Sequence, residues 1–267
     1  YRSYHGATNA CMQLTGDPRR LANEPGGPGF VKVMDPWPYN YSFGETEEEI
    51  TERNLVYLEE VIMYEGPDKI AAMFIETVTG TNGILPPPKG YLKGLKILLE
   101  KYGILLVCDE VMAGFGRTGK LFAFEHFGIV PDIVTFAKGV TSSYIPLGVM
   151  GVSDPIAEYF RENVFWGGLT YNSHALALRT AEAVIDVMLE ENLFDNATRL
   201  GVTMRSEMDR LQAKHPSVKE GRCLGLFGMI DLRKNSAGER MAPYNGTSEA
   251  MQKLGAFFRD NGLFTFV

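Results

Sequence analysis

Cysteine is scarce in this chain of 267 residues: Cys11, Cys108 and Cys223, odd in number and far apart. No CxxC pair occurs, so a disulfide framework and a thiolate-held metal both lack their raw material. A reduced, cytoplasmic setting is the expectation that follows. Histidine is nearly as rare, and His126, His174 and His215 show no metal-ligand spacing. Long apolar runs are missing: a stretch such as Ile104 to Cys108 is far too short to span a bilayer, so no membrane association is expected. A basic excess is missing too. Lys and Arg number 26 against 33 Asp and Glu, for a net charge of −7, and the cations are scattered, so no nucleic-acid partner is expected. There is no repeat and no low-complexity tract.

What is present is a 45% hydrophobic composition, enough to bury one large domain or one and a half. The chain starts at Tyr1-Arg2-Ser3 with neither an initiator Met nor a signal-like segment. It stops on Phe264-Thr265-Phe266-Val267, which reads as a strand cut short. Truncation at both ends is therefore expected.

Residues 46–64 carry an acidic head and an apolar face of Ile50, Tyr57, Leu58 and Val61, which predicts an amphipathic helix. Ala71 to Ile75 is a short apolar run ending at Glu76. A loop rich in Gly, Thr and Pro (77–88) precedes a helix that runs to about Lys101. Gly103 to Cys108 reads as a second strand, ending at Asp109-Glu110, and Pro131 to Ala137 as a third, ending at Lys138-Gly139. Leu147 to Val152 reads as a fourth strand and Ser173 to Glu191 as a long helix. Strands alternating with helices predict an α/β fold, a three-layer α/β/α sandwich around a mostly parallel sheet. Beyond about residue 193 the texture changes: a charged helix (Asn196 to Lys214), a strand (Gly225 to Leu232), then another helix (Ser248 to Asn261). The expected division is therefore a large domain over 1–192 and the start of a small α+β domain over 193–267.

Three strands thus end on ionisable side chains: Glu76, Asp109 and Lys138. Ligands of open α/β sheets bind outside the carboxyl ends of the strands. A lysine of lowered pKa forms a Schiff base with an aldehyde. A carboxylate beside a pyridine nitrogen keeps that nitrogen protonated, because an adjacent negative charge favours the cation. A protonated ring then drains electrons from a substrate carbanion, the role of pyridoxal phosphate. An amine and a carboxylate at neighbouring strand ends suit that chemistry.

At these residues the sequence resembles the class III aminotransferases, the fold-type-I group that includes ω-amino acid–pyruvate and taurine–pyruvate transaminases. The similar segments run in order: Tyr4-His5-Gly6, then Val107 to Val111 continuing through Gly114-Phe115-Gly116-Arg117-Thr118-Gly119. Pro131-Asp132 to Lys138-Gly139 follows, then Pro146-Leu147-Gly148, then Trp166 to His174. The resemblance implies pyridoxal 5′-phosphate as cofactor and Lys138 as both its anchor and the acid–base group. It implies that Asp109 pairs with the pyridine nitrogen, Val111 packs on one ring face and Tyr4 stacks on the other. His5 belongs to the same cofactor-binding segment, and Glu76 is implied as an acid near the ring. Thr170 is implied to hold the phosphate across a subunit interface, which makes an obligate homodimer, or a dimer of dimers, the expected assembly. The implied reaction is a transamination from a small-molecule amine or ω-amino acid donor to a 2-oxo acid acceptor such as pyruvate.

The sequence departs from the family pattern at Trp166, where a His is usual. The family's upstream phosphate-binding loop and downstream carboxylate-binding Arg fall outside the chain. Decarboxylation or amino migration on the same scaffold remains open at this point, as does a catalytically silent homologue acting as a binding subunit. Arg117 is expected to brace the Gly-rich loop. That loop with Lys120 imitates a nucleotide-binding GxxxxGK motif, but position 121 is Leu where a Mg²⁺-binding hydroxyl is required, so phosphate hydrolysis is excluded.

Overall fold

A computed structural model describes residues 1–267. After a short helix α1 (Asn9–Leu14) and a 3-10 turn (Pro18–Asn23), the chain enters α2 (Glu47–Glu65). Thr46 caps α2 by accepting from the Glu49 amide at 3.2 Å, and Glu47, Glu48 and Glu49 fill the first turn, where the helix dipole favours anions. The buried face is Ile50, Asn54, Leu58 and Ile62. Tyr57 and Val61, expected on it, lie at its edge. Asn54 takes a core position because its amide donates to the Met34 carbonyl at 3.3 Å.

Strand β1 (Ala72–Glu76), helix α3 (Tyr91–Lys101), β2 (Leu105–Asp109), β3 (Ile133–Phe136) and β4 (Val149–Val152) follow. They form one sheet in the order β1-β2-β3-β4. The first three strands are parallel, as expected; β4 runs antiparallel to β3. The link from Phe136 to Val149 holds only a 3-10 turn (Lys138–Thr141) and lacks the crossover helix that usually returns a parallel strand. Leu92, Leu95 and Leu99 of α3 pack with Leu58 and Ile62 of α2 onto Leu106 and Cys108 of β2. Burial of these side chains fixes the sheet against both helices.

Beyond β4 come α4 (Asp154–Glu162), α5 (Ala175–Glu190) and α6 (Leu193–Lys214). The sequence reading did not include α4, and it started α6 three residues late. The last part holds β5 (Val218–Leu224), β6 (Phe227–Leu232) and α7 (Glu249–Asp260). The sequence reading took Gly225 as the start of a strand; it is instead the left-handed turn (φ +56°) between two antiparallel strands. Residues 263–267 form no strand, correcting the expectation there, and Phe264 and Phe266 are exposed. No helix is long and apolar enough to cross a membrane.

Candidate active site

The parallel register puts Glu76 directly beside Asp109, and Asp109 beside Thr135, so the carboxyl ends of β1, β2 and β3 lie level. Neighbouring strands stand about 4.8 Å apart, which gathers their terminal side chains at one edge. Lys138 follows three residues after Thr135, in a left-handed conformation (φ +47°) that turns the chain out of the sheet. Its side chain is exposed and hydrogen-bonds to nothing in the chain. Gly139 permits this sharp exit: a Cβ there would come within 2.9 Å of the Phe115 Cβ.

Asp109 is buried and fixed at both oxygens. Oδ1 accepts from the Val111 amide at 2.9 Å, and Oδ2 lies 2.8 Å from His5 Nδ1. His5 is held in turn by its backbone amide, which donates to Thr15 Oγ1 at 3.0 Å; Thr15 is fully buried and donates to the Cys11 carbonyl. Glu76 receives the Tyr4 amide at 2.7 Å on Oε1 and the Gly80 amide at 2.8 Å on Oε2. Burial pushes its carboxyl above the usual carboxylate range, opposed by those two amides and reinforced by the nearby Asp109 charge. Tyr4, His5, Glu76, Asp109 and Val111 thus form one hydrogen-bonded group at the strand ends. Lys138 stands in the turn that follows the adjacent strand, β3.

Thr170 stands apart. It is exposed, in a non-helical stretch between α4 and α5, and shares no hydrogen bond with the others. Its neighbours Val164, Phe165, Trp166, Leu169 and Tyr171 are exposed as well, Trp166 at 92%.

The sequence reading missed several groups that shape this edge. Glu110 is fully buried; its two oxygens accept the Ala123 and Phe124 amides, each at 2.9 Å, and burial pushes its carboxyl up. Asp17 caps the turn at Pro18, accepting from the Arg19 amide, from Arg19 Nε at 2.7 Å and from Asn82 Nδ2 at 2.7 Å. The Asp17-Pro18 pair was the available signal, since Asp before Pro marks a helix start. Arg117 does not brace its loop through the guanidinium, which is exposed and unbonded; its carbonyl does so by accepting the Leu226 amide. Cys108, next to Asp109, is no nucleophile, because burial raises its thiol to about 12. No cluster of His, Cys, Asp and Glu suited to a metal is present.

Comparison with known proteins identifies the family. The family model for aminotransferase class-III matches residues 1–266. Taurine–pyruvate aminotransferase of Bilophila wadsworthia is 36% identical over 248 residues, covering 88% of this chain and 53% of that protein. Putrescine–pyruvate aminotransferase of Pseudomonas aeruginosa is 33% identical over 239 residues, covering 88% and 52%. The crystal structure of taurine:2-oxoglutarate aminotransferase from Bifidobacterium kashiwanohense, in complex with PLP and glutamate, superposes with a TM-score of 0.94. It is 42% identical and covers all of this chain and 61% of its own. The chain spans about half the length of the curated relatives it matches.

Proposed function

The chain belongs to the class-III aminotransferases, and on that premise we propose that its protein moves an amino group from a small-molecule amine or ω-amino acid to a 2-oxo acid such as pyruvate. One observation carries the reading: a buried, doubly anchored Asp109 beside β3, whose exit turn carries the unbonded amine of Lys138.

The residues present fit pyridoxal 5′-phosphate, the cofactor of this family. A buried carboxylate needs a cationic partner, and His5 occupies only one side of Oδ2. When bound, the cofactor supplies an electron sink for negative charge developing at the substrate carbon. With the cofactor bound, Asp109 would pair with the ring nitrogen and favour its protonated form. Lys138 Nζ would anchor the cofactor and would serve as the acid–base group that holds or moves a proton at the substrate carbon. Val111 and Tyr4 would flank the ring; His5 fixes Asp109, and Glu76 orders the Tyr4 backbone.

Thr170 serves the site of a second copy in this reading, in keeping with its exposure and with the apolar residues around it. A homodimer, or a dimer of dimers, is therefore part of the proposal. The catalytic strands lie within a large domain, residues 1–192, and the β5–β6 hairpin begins a smaller one, 193–267. Three unpaired cysteines favour a cytoplasmic location.

The test is the visible spectrum of the full-length protein with pyridoxal phosphate, followed by borohydride reduction and peptide mapping. A reducible band whose label maps to Lys138 is the expected result; a label on another lysine, or no band, overturns the assignment.

A further inference from the structure

Nothing grips the side chain of Lys138. Its amine is exposed and unbonded, so its aim comes from the backbone alone. That backbone is strained. Lys138 (φ +47°), Ser142 (φ +46°) and Ser143 (φ +67°) are all left-handed, and none is glycine. A Cβ makes that conformation about tenfold less favourable per residue, so the surroundings must hold the turn in place.

The hold is a series of interlocked rings. The Val140 amide donates to the Ala137 carbonyl at 3.2 Å, the Ser142 amide to the Gly139 carbonyl at 3.1 Å, and the Tyr144 amide to the Thr141 carbonyl at 3.0 Å. Thr141 closes the last ring with its side chain: Oγ1 donates to the Ile145 carbonyl at 2.7 Å, across both serines. No backbone amide donates to that carbonyl. Thr141 is fully buried, Val140 beside it is buried too, and the turn packs against α5. Away from solvent, the hydroxyl has no water to exchange for the carbonyl, so the ring stays closed.

We propose that Thr141 is a positioning residue: its hydroxyl holds Ser142 and Ser143 left-handed and thereby fixes the direction of the Lys138 amine. The idea rests on the transaminase reading and names a further residue of that same site. Thr141 acts through the 3-10 turn that Lys138 begins and Thr141 ends. A misaimed amine loses rate rather than affinity, since its chemistry needs the group within hydrogen-bond reach of the reacting atom.

Three variants of the full-length protein test this. Thr141→Val keeps the shape and drops the hydroxyl, and Thr141→Ser keeps the hydroxyl. The third adds Ser142→Gly and Ser143→Gly to Thr141→Val. Three quantities are measured: the rate at which added pyridoxal phosphate gives the borohydride-reducible band, the affinity for pyridoxamine phosphate, and hydrogen exchange of residues 138–145 without cofactor. Pyridoxamine phosphate has no aldehyde, so its binding does not call on the lysine amine. Thr141→Val slows band formation and speeds exchange about tenfold each, the loss of one hydrogen bond, and leaves pyridoxamine phosphate affinity within about twofold. Thr141→Ser stays near the parent in all three. The two glycines adopt the left-handed angles unaided and recover most of the lost rate. An unchanged rate in Thr141→Val, an equal loss of rate and of pyridoxamine phosphate affinity, the same loss in Thr141→Ser, or no recovery with the glycines overturns the proposal and leaves Thr141 as core packing. A parent label that misses Lys138 sinks the transaminase reading instead, and the exchange without cofactor still reads the hold of Thr141 on its turn.

Discussion

The two ends of the proposed site are built in opposite ways. At the strand ends, Glu76, Asp109 and Glu110 are buried and each accepts two hydrogen bonds or close contacts within the chain. In the stretch that carries Thr170, Val164, Phe165, Trp166, Leu169 and Tyr171 are exposed, with only Phe160 against Phe165 and His174 near Tyr171 as aromatic neighbours. The first region is complete in one chain, because each of its charges finds its partners within that chain, some next to it and others, Tyr4 and His5, far off in sequence. The second has apolar surface that nothing in the chain covers, the mark of a surface meant to be met by another molecule. Preorganised charge and an unfinished apolar rim are different devices, and they fail in different ways.

Lys138→Ala breaks the comparison most deeply, since it removes the one group assigned to both anchoring and proton transfer. Turnover falls by about 10³-fold or more, and borohydride fixes no label at the position. Asp109→Asn keeps the shape and loses the charge. The fall in turnover is about a hundredfold, checked alongside a spectrum whose pH response differs from that of the parent. Trp166→Ser acts on the other region: it leaves the strand-end geometry intact and weakens self-association by about tenfold or more, read by sedimentation. An unchanged association constant would remove Trp166 from the interface.

Glu110→Gln is the smallest of these effects and the most specific. The amide has one acceptor oxygen where two backbone N–H groups, those of Ala123 and Phe124, require acceptors, so stability drops by about 1–3 kcal/mol. Its sign with pH is set by the raised carboxyls of Glu110 and Glu76. A folded value above the unfolded one contributes stability that is full below the ordinary glutamate range. That contribution is lost as pH rises through the folded value. Denaturation midpoints measured from that range upward show this loss in the parent, and less of it in Glu110→Gln.

Much of this was legible in the sequence because the signals were local. Apolar runs ending at Glu76, Asp109 and Lys138 marked the strands and their exits, and the order of segments marked the family. The antiparallel β4 was not legible, since a short run such as Leu147 to Val152 carries no sign of direction. Gly225 was read as part of a strand because apolar residues flank it on both sides; only pairing reveals the turn. Thr141 was missed for another reason. Gly or Asn announces a left-handed turn, and Ser142 and Ser143 are neither.

The turn at Gly225 also fastens the hairpin to the catalytic edge. A Cβ there would come within 2.4 Å of the Thr118 carbonyl carbon, one at Gly119 would strike Thr198 of α6, and Phe227 packs among Val78, Ala113 and Ala123. The same Gly-rich loop, through Phe115, presses on Gly139 beside Lys138. The hairpin, the loop and the lysine are therefore links of one stiff train, with no slack between adjacent members. A displacement imposed on the far side chains of β5 or β6 has no compliant layer in which to dissipate before it reaches the amine.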